Sequence, residues 1–353
     1  MADAPHLNAI ATAVPPHDMH TAFRAFAAGQ IAEPRMREAF ARLADKSQID
    51  HRHSVLEPRA DCTGSTCGFY RTERFPSTGE RMARYETEAP ALAEAACVAL
   101  GLEATGPRIT HLILASCTGF AAPGVDHALI RRFNLPGGVE RSVVGFMGCQ
   151  AAINALKLAW HISRSDAAAR VLVVNLELCS LHLQAARAME PLLCSLLVAD
   201  GCSAALISRE PRGLRMEGFH AALVPEAAGQ ITWRIGDQGF DMTLSGMVPL
   251  TIARALPAHA GAMLAGVPVA EIAHWAVHPG GRSVLDAVVH GMGLAPDALD
   301  ISRAVLRGFG NMSSATVMFV LERLMAVARA GERGCAMAFG PGLSAETMRF
   351  TAA

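Results

Sequence analysis

The segment GFMGCQAAINALKLA, residues 145–159, carries a pattern that returns in GFGNMSSATVMFVLERL, residues 308–324. Both begin with glycines, which permit a tight turn, and both continue into small and apolar residues that favour a helix. Cys149 in the first segment and Asn311 in the second stand at the corresponding point, shortly after the glycine turn. The two segments predict one turn-and-helix unit that occurs twice in the chain.

An apolar strand candidate precedes each of these segments. It is ITHLILASCTG at 109–119 in the first case and IAHWAVHPGG at 272–281 in the second, and each ends in a cysteine or histidine followed by glycine. The same order and similar spacing in both places predict a duplicated α/β chain. We expect residues 1–212 to form an N-terminal half that carries the cysteine. Residues 213–353 would form a C-terminal half that carries the histidine and the asparagine.

Short apolar runs alternate with alanine-rich helical stretches along the chain. This alternation is typical of an α/β protein whose sheet is largely buried. Strands are expected at 111–116, 170–178, 202–208, 274–278 and 335–339, and 316–322 fits either a strand or a helix. Helices are expected at 88–100, 123–133, 149–163, 248–264, 282–292 and 312–330.

The composition restricts the possible partners. Of the 353 residues, 51% are hydrophobic and 18% are charged, and the formal net charge is −1. The apolar excess predicts extensive burial, an apolar cavity or a subunit interface. A net charge near zero provides no attraction for nucleic acid or for an anionic membrane surface.

The same composition argues against export and membrane insertion. The nearest approach to a membrane-spanning run, PLLCSLLVADGCSAALI, is interrupted by Asp200. The N-terminus lacks a basic segment followed by an apolar one, so we expect no secretory signal and a cytoplasmic protein. The nine cysteines include no CxxC pair, and Cys62 and Cys67 have no matching pair or histidine cluster. Neither a metal site nor a disulfide framework is therefore expected.

Cys149, His278 and Asn311 together have the chemistry of a site that handles thioesters. A helix N-terminus and a neighbouring imidazolium favour the thiolate and can lower a cysteine pKa to about 3.5–7.5. The imidazole and the amide can donate hydrogen bonds to a thioester carbonyl and to the enolate formed when a malonyl group loses CO₂. Taken singly, each residue also has an ordinary explanation: a packed thiol, a structural histidine and a helix N-cap.

Six motifs place these three residues in a wider pattern. They are CTGFAAPGVD (117–126), GFMGCQAA (145–152), VADG (198–201), WAVHPGG (275–281), GNMSSA (310–315) and FGPGL (339–343). With these motifs in this order, the chain resembles the type III polyketide synthases, the chalcone-synthase-like family of condensing enzymes. The resemblance covers nearly the whole length of the chain.

The resemblance implies a fold and a reaction. The fold would be thiolase-like, with αβαβα layers built from two similar halves. Cys149 would carry the starter and the growing polyketide as thioesters, and His278 would generate and hold the thiolate. His278 and Asn311 would bind the thioester carbonyl during decarboxylation and condensation. The family works as a homodimer on free coenzyme A thioesters, so no metal and no redox cofactor are expected.

The resemblance also assigns residues to the substrate cavity. Thr118, Glu177 and His182 would line it, and Phe339 and Gly340 of the FGPGL motif would belong to its backbone scaffold. The histidine stands where plant members of the family have a threonine. We therefore expect a cavity whose shape differs from that of the plant enzymes.

Further positions bear on the substrate. Val198 and Met242 stand where plant relatives often have phenylalanines that guard the passage beside the thiol, so the passage here would be wider or differently shaped. Arg42 and Lys46 match the family's phosphate-binding stretch and would bind coenzyme A. Ala39 stands where many relatives have a third basic residue, and Arg42 also fits a solvated helix face.

These features resemble those of the bacterial members of the family that make alkylresorcinols or alkylpyrones. The resemblance implies a type III polyketide synthase that extends a fatty acyl starter with malonyl-CoA. The product would be an alkylresorcinol or an alkylpyrone. Two alternatives remain open: a ketoacyl synthase of fatty-acid initiation with an acyl carrier protein as partner, and a non-catalytic thiolase-fold subunit that binds acyl chains. The starter, the number of extensions and the ring-closure mode are left open by the residues alone.

Overall fold

The computed structural model of the protein describes residues 4–58, 69–70, 74–102, 108–185 and 188–353. Cys62 and Cys67, which entered the sequence argument against a metal site, lie outside these ranges. Thirteen strands and ten α-helices are assigned within them. The strands are β1 His6–Ala13, β2 His17–Asp18, β3 His53–Ser54, β4 His111–Ser116, β5 Glu140–Gly145, β6 Val171–Leu178, β7 Asp200–Ser208, β8 Leu214–Leu223, β9 Ile231–Gly236, β10 Gly239–Leu244, β11 His274–Val277, β12 Arg333–Gly340 and β13 Ser344–Ala352.

Both α-helices and short 3-10 helices connect the strands. The α-helices are α1 His20–Gln30, α2 Pro34–Lys46, α3 Thr78–Ala99, α4 Val125–Arg132, α5 Ala151–Ser165, α6 Met189–Leu197, α7 Val248–Met263, α8 Arg282–Met292, α9 Asp300–Phe309 and α10 Thr316–Val327. Short 3-10 turns occupy Gly148–Gln150, Cys179–His182, Pro225–Gln230, Val269–Glu271 and Ser313–Ala315. Two of these turns, the first and the last, lie directly before α5 and α10.

Nine strands form one sheet in the order β11-β12-β13-β8-β1-β7-β6-β4-β5. Within it, β4 runs parallel to β5 and β6, as β11 does to β12. The pairs β6–β7, β7–β1, β12–β13 and β13–β8 are antiparallel. The pairing scheme of the first half therefore returns in the second, and the two halves meet where β1 pairs briefly with β8. The boundary expected between residues 212 and 213 falls between β7 and β8 and stays a prediction.

The sheet and the helices form layers around α5 and α10. One face of β4, β6 and β7 packs on these two helices, and one face of β12 and β13 packs on them as well. The opposite face of β4, β6 and β7 is covered by α3 and α4. The opposite face of β11 and β12 is covered by α7 and α8. Neighbouring strand residues such as Ile113 and Leu114 point into different layers, as the period of a strand requires.

Two sequence expectations need correction. The strand alternative for residues 316–322 is wrong, because the segment belongs to α10, and 316–321 are buried on every side. A helix that is apolar all round shows no periodicity that distinguishes it from a buried strand. The helix expected at 88–100 begins ten residues earlier in the structure. Its start is fixed by a capping box between Ser77 and Glu80, and Pro90 lies inside it.

Candidate active site

Cys149, His278 and Asn311 line one largely apolar cavity, although they come from different halves of the chain. The cavity also contacts most of the residues that the sequence suggested for it. Thr118, His182, Val198, Met242, Phe339 and Gly340 are part of its wall. The layered fold brings these residues together, because the ends of β4, β11 and β12 lie close to the starts of α5 and α10.

A tight turn presents Cys149 to the cavity. The residue lies in the 3-10 turn just before α5 and is partly open to the cavity. Gly148 has φ +66, and a Cβ there would stand 2.2 Å from Pro341 of the FGPGL motif. Only glycine combines this backbone conformation with this close approach. The FGPGL segment therefore forms a support for the cysteine turn.

Asn311 is fixed against the segment that carries Val198. Its backbone N–H donates to Leu197 O at 2.8 Å, and its carbonyl accepts from Ala199 N at 2.9 Å. Its side-chain Nδ2 donates to Gly280 O at 3.3 Å, while Oδ1 accepts from Ser313 N at 2.9 Å and lies 4.0 Å from Cys149 Sγ. The amide is thus held beside the thiol by contacts on both of its ends.

His278 follows β11 and is buried, with 1% of its surface exposed. Neither ring nitrogen has a hydrogen-bond partner within the described ranges. Burial lowers the pKa of this imidazole to about 3. A buried polar ring without a hydrogen-bond partner is costly, and this ring lines the cavity.

Burial also raises the pKa of the Cys149 thiol to about 11, against smaller lowering effects from hydrogen bonds with Ser313 and Asn311. The shift is opposite to the one expected from a helix N-terminus and a neighbouring imidazolium. A lone thiolate and a lone imidazolium are both disfavoured where water is excluded. Both groups therefore favour their neutral forms in this cavity.

Glu177 lies behind the cavity and is not part of its wall, contrary to the sequence expectation. Its carboxylate accepts hydrogen bonds from Cys117 N and Thr118 Oγ1, both at 2.9 Å, and from Ser314 Oγ at 2.6 Å. Burial raises the pKa of the carboxyl to about 7, although these donors act in the opposite direction. Glu177 thus joins the end of β4 to the turn that carries Asn311.

His182 lines the cavity, and both of its ring nitrogens are engaged. Nε2 donates to Thr118 O at 2.7 Å, and Nδ1 accepts from Phe240 N at 3.0 Å. The ring stacks on Phe240 with centroids 4.2 Å apart, and Trp233 stands edge-on to both rings. Burial lowers the pKa of His182 to about 3. His182 is therefore a neutral structural element of the cavity wall.

The two residues suggested for coenzyme A lie away from the cavity wall. Arg42 and Lys46 are exposed on α2 and are four residues apart, so they share one face of this helix. The carbonyl of Lys46 accepts a hydrogen bond from Arg282 Nη1 at 3.4 Å. Arg282 begins α8, just after the cavity-lining Gly280. The structure thus brings Lys46 to the neighbourhood of the cavity without a direct contact.

Several cavity residues carried no recognisable sequence signal. Trp233 donates from Nε1 to Cys117 O at 2.8 Å. Phe23 and Phe26 of α1 and the buried Arg52 also belong to the wall. The helical spacing of the two phenylalanines predicts only an apolar helix face, and the HRH sequence around Arg52 predicts nothing about a cavity.

Comparison with known proteins places the chain in a family. The sequence model of the chalcone and stilbene synthases, N-terminal domain, matches residues 4–211, and that of the C-terminal domain matches residues 217–352. The chain is 32% identical to the alpha-pyrone synthesis polyketide synthase-like Pks18 of Mycobacterium tuberculosis, over 92% of this chain and 86% of that protein. The chain belongs to the chalcone and stilbene synthase family, and is a type III polyketide synthase.

Solved structures agree with this assignment. The 1,3,6,8-tetrahydroxynaphthalene synthase of Streptomyces coelicolor, a bacterial type III polyketide synthase, is 28% identical, with a TM-score of 0.86 over 99% of each chain. PKS-I of the brown alga Ectocarpus siliculosus is 26% identical, with a TM-score of 0.88 over 99% of this chain and 98% of that one. The fold is therefore the thiolase-like fold of this family, as the motifs predicted.

The family assignment gives the class of reaction. The protein is an acyltransferase that catalyses a decarboxylating condensation, and its substrates are coenzyme A thioesters. Members of the family generally need no cofactor. In the described parts of the chain, no three His, Cys, Asp or Glu side chains gather as a metal site would require. Among the helices that the structure describes, none has both the length and the apolar character of a membrane span.

Proposed function

We propose that Cys149 is the acyl acceptor, that His278 exchanges its proton and that Asn311 binds the reacting carbonyl. The observation that carries this proposal is the convergence of the three side chains on one cavity, with Asn311 Oδ1 4.0 Å from the sulfur. The thiol attacks the carbonyl carbon of an acyl-CoA, a new C–S bond forms, and coenzyme A leaves as a thiol. The proton lost by Cys149 passes through His278 to the leaving sulfur.

The burial of Cys149 and His278 supports the proposed exchange of a proton between them. A lone thiolate in this site is disfavoured, since burial raises the thiol pKa to about 11. A lone imidazolium is disfavoured as well, since burial lowers the imidazole pKa to about 3. When the proton moves from sulfur to nitrogen, the opposite charges compensate each other. His278 has both nitrogens free for this exchange, which is why it suits the role better than His182.

The decarboxylation step needs hydrogen-bond donors to the thioester oxygen rather than a base. Malonyl-CoA loses CO₂, and the electron pair of the broken C–C bond passes to the thioester oxygen as an enolate. The Asn311 amide has one N–H directed to Gly280 O and a second one left for this oxygen. The His278 imidazole offers its own N–H. The enolate carbon then attacks the acyl-Cys149 carbonyl, and the thiolate is released for the next transfer.

We further propose a fatty acyl starter and an alkylpyrone or alkylresorcinol product. Aliphatic Val198 and Met242 line the cavity, and its other walls are mainly apolar, which suits a hydrocarbon chain. The similarity to a protein named for alpha-pyrone synthesis supports the pyrone. The experiment is mass spectrometry of products from a panel of acyl-CoA starters with malonyl-CoA. Products from fatty acyl-CoA support the proposal, and turnover with aromatic starters alone would refute it.

A homodimer in the cytoplasm completes the proposal. Strand β5 is at the edge of the sheet, and Val143 on it is 56% exposed. Phe120 and Met147, near the same edge, are also exposed. An unpaired edge with apolar side chains suits pairing with a second copy. Size-exclusion chromatography with light scattering should give a dimer that Val143→Lys weakens. A monomeric wild-type protein would exclude it.

Coenzyme A would enter past Lys46 and Arg42, whose charges suit its phosphates. Lys46→Ala should raise the KM for malonyl-CoA and leave kcat nearly constant, because the contact is remote from the reacting atoms. An unchanged KM for the lysine variant would remove α2 from the proposed coenzyme A site. The alternative of a carrier-protein partner would be favoured only if acyl-CoA starters failed and acyl carrier protein thioesters reacted.

A further inference from the structure

One side of the cavity is a stripe along α1. The four lining residues of this segment are Met19, Ala22, Phe23 and Phe26. Their spacings of three and four residues place them on a single face of the helix. Met19, Phe23 and Phe26 are almost completely buried. This face is therefore a continuous apolar wall that extends over about 10 Å at 1.5 Å per residue.

Helix α6 presents a matching stripe. Pro191, Cys194, Ser195 and Val198 line the cavity with the same spacings. Leu192 and Leu196, on another face of α6, pack instead against α1 and α2 in a separate apolar cluster. Phe23 and Phe26 belong to this cluster and also line the cavity, so α1 contacts α6 and borders the cavity with the same two rings. Val198 joins this stripe to the site, because it pairs with Asn311.

Arg52 fixes α1 and α6 relative to each other. Its guanidinium lies 4.7 Å from the centre of the Phe23 ring, and Nε donates to His20 Nδ1 at 3.0 Å. Nη1 donates to Ser195 O at 2.8 Å and to Val198 O at 2.7 Å, at the C-terminal end of α6. Carbonyls at a helix C-terminus favour a cation, which accounts for a fully buried arginine here. Arg52 therefore holds the two stripes at a fixed position relative to each other.

Another part of the cavity wall consists of aromatic rings. His182, Trp233 and Phe240 contact one another, and all three line the cavity. Hydrogen bonds from Trp233 to Cys117 O and from His182 to Thr118 O hold two of the rings in place. A chain attached to Cys149 cannot extend through this wall without breaking these bonds.

We propose that the hydrocarbon tail of the starter lies between the stripes of α1 and α6, so that Ala22 and Cys194 set its permitted length. This inference rests on the proposed acyl-CoA reaction. Both positions carry small side chains that line the cavity, next to Phe23 on one helix and Ser195 on the other. A larger side chain at either position would shorten the space without touching Cys149, His278 or Asn311.

The test uses Ala22→Phe, with Ala25→Phe as the matched control. Ala25 is on the same helix but is exposed and does not line the cavity. Acylation of the enzyme by hexanoyl-CoA and by palmitoyl-CoA is followed by intact-protein mass spectrometry, and kcat/KM is measured for both with malonyl-CoA. A thermal melt of each variant checks folding, and Cys194→Phe repeats the test from the other helix.

Ala22→Phe should lower kcat/KM for palmitoyl-CoA relative to hexanoyl-CoA by about tenfold or more, the effect of overpacking a binding space. Ala25→Phe should leave the ratio unchanged. If folded Ala22→Phe and Cys194→Phe proteins keep the wild-type ratio, the tail lies elsewhere and the inference is wrong. If the wild-type protein is acylated by neither thioester, the proposed function itself fails, which is a distinct outcome.

Discussion

The sulfur of Cys149 lies 4.0 Å from Oδ1 of Asn311, although 162 positions separate the two residues in the chain. The duplicated architecture explains this proximity, since α5 and α10 are equivalent helices in the central layer. The turn before each helix presents one of the two residues to the same cavity. The reaction proposed for this enzyme depends on the proximity of Cys149 and Asn311.

Replacing Asn311 with alanine should separate loading from condensation. The Asn311→Ala variant loses an amide that is needed most where enolate charge develops, and loss of one such donor typically reduces kcat by about 10²–10³. Starter transfer to Cys149 should decline less. The measurement is CO₂ release from malonyl-CoA beside acyl-enzyme formation. Equal losses in the two assays would show that Asn311 has no special part in decarboxylation.

Replacing His278 with alanine should make Cys149 unreactive near neutral pH. Burial already raises the pKa of the Cys149 thiol to about 11 in the wild-type site. Without the imidazole the thiol has no neighbouring group to take its proton, so little thiolate should form at pH 7. Iodoacetamide labelling of Cys149 should slow strongly in His278→Ala and recover as the pH rises. The His182→Asn variant is the control, because both nitrogens of the His182 ring are bonded to backbone groups and neither can take the proton of the thiol. Labelling at the wild-type rate in His278→Ala would exclude proton exchange between the two residues.

Glu177 should make stability depend on pH. Burial raises its pKa in the folded protein to about 7, above the ordinary 4.5. The protonated form is therefore favoured by folding, and this contribution is complete below pH 4.5 and is lost as the pH rises through 7. Relative to Glu177→Gln, the wild-type Tm should fall between pH 5 and pH 7.

The comparison isolates Glu177, because Asp200, a further buried carboxyl with a raised pKa, is present in both proteins. Tm is measured by calorimetry at intervals of pH for each. Parallel curves for the two proteins would show that Glu177 is ionised throughout this range and that its burial is compensated by Ser314 and the neighbouring donors.

Val198→Phe should discriminate between starters by length. The residue lines the cavity, pairs with Asn311 and begins the path toward α6. A phenyl ring in the space of an isopropyl group typically costs about 1–3 kcal/mol of overpacking, which is about tenfold or more in rate. Long acyl-CoA starters should lose more kcat/KM than short ones in the folded variant. An equal loss for both lengths would remove Val198 from the acyl path.

Much of the fold was predictable because the signals are local. The strands near 111–116, 170–178 and 202–208 lie where apolar runs placed them, and the duplicated turn-and-helix segments occupy equivalent positions. Cys149, His278 and Asn311 were recognisable because each stands at a glycine turn that ends or begins an element. Their contact then follows from the duplication.

Other features depend on tertiary contacts that a sequence does not display. Arg52 is buried because α6 ends beside it, and Trp233 lines the cavity because the β9–β10 hairpin folds over Cys117. Glu177 was expected in the cavity wall, yet three donors from two segments, the end of β4 and the turn before α10, hold it behind the wall. The burial that raises the pKa of the Cys149 thiol likewise depends on tertiary packing, and the local sequence around the cysteine does not predict it.

The most direct test of the account is to find the acylated residue. The protein is incubated with a fatty acyl-CoA in the absence of malonyl-CoA, digested and mapped by tandem mass spectrometry. The account predicts one acyl group per chain on Cys149, and none in Cys149→Ala, which has no nucleophile at this position. Acylation of Cys117 or Cys179, which line the same cavity, with Cys149 left free, would contradict it.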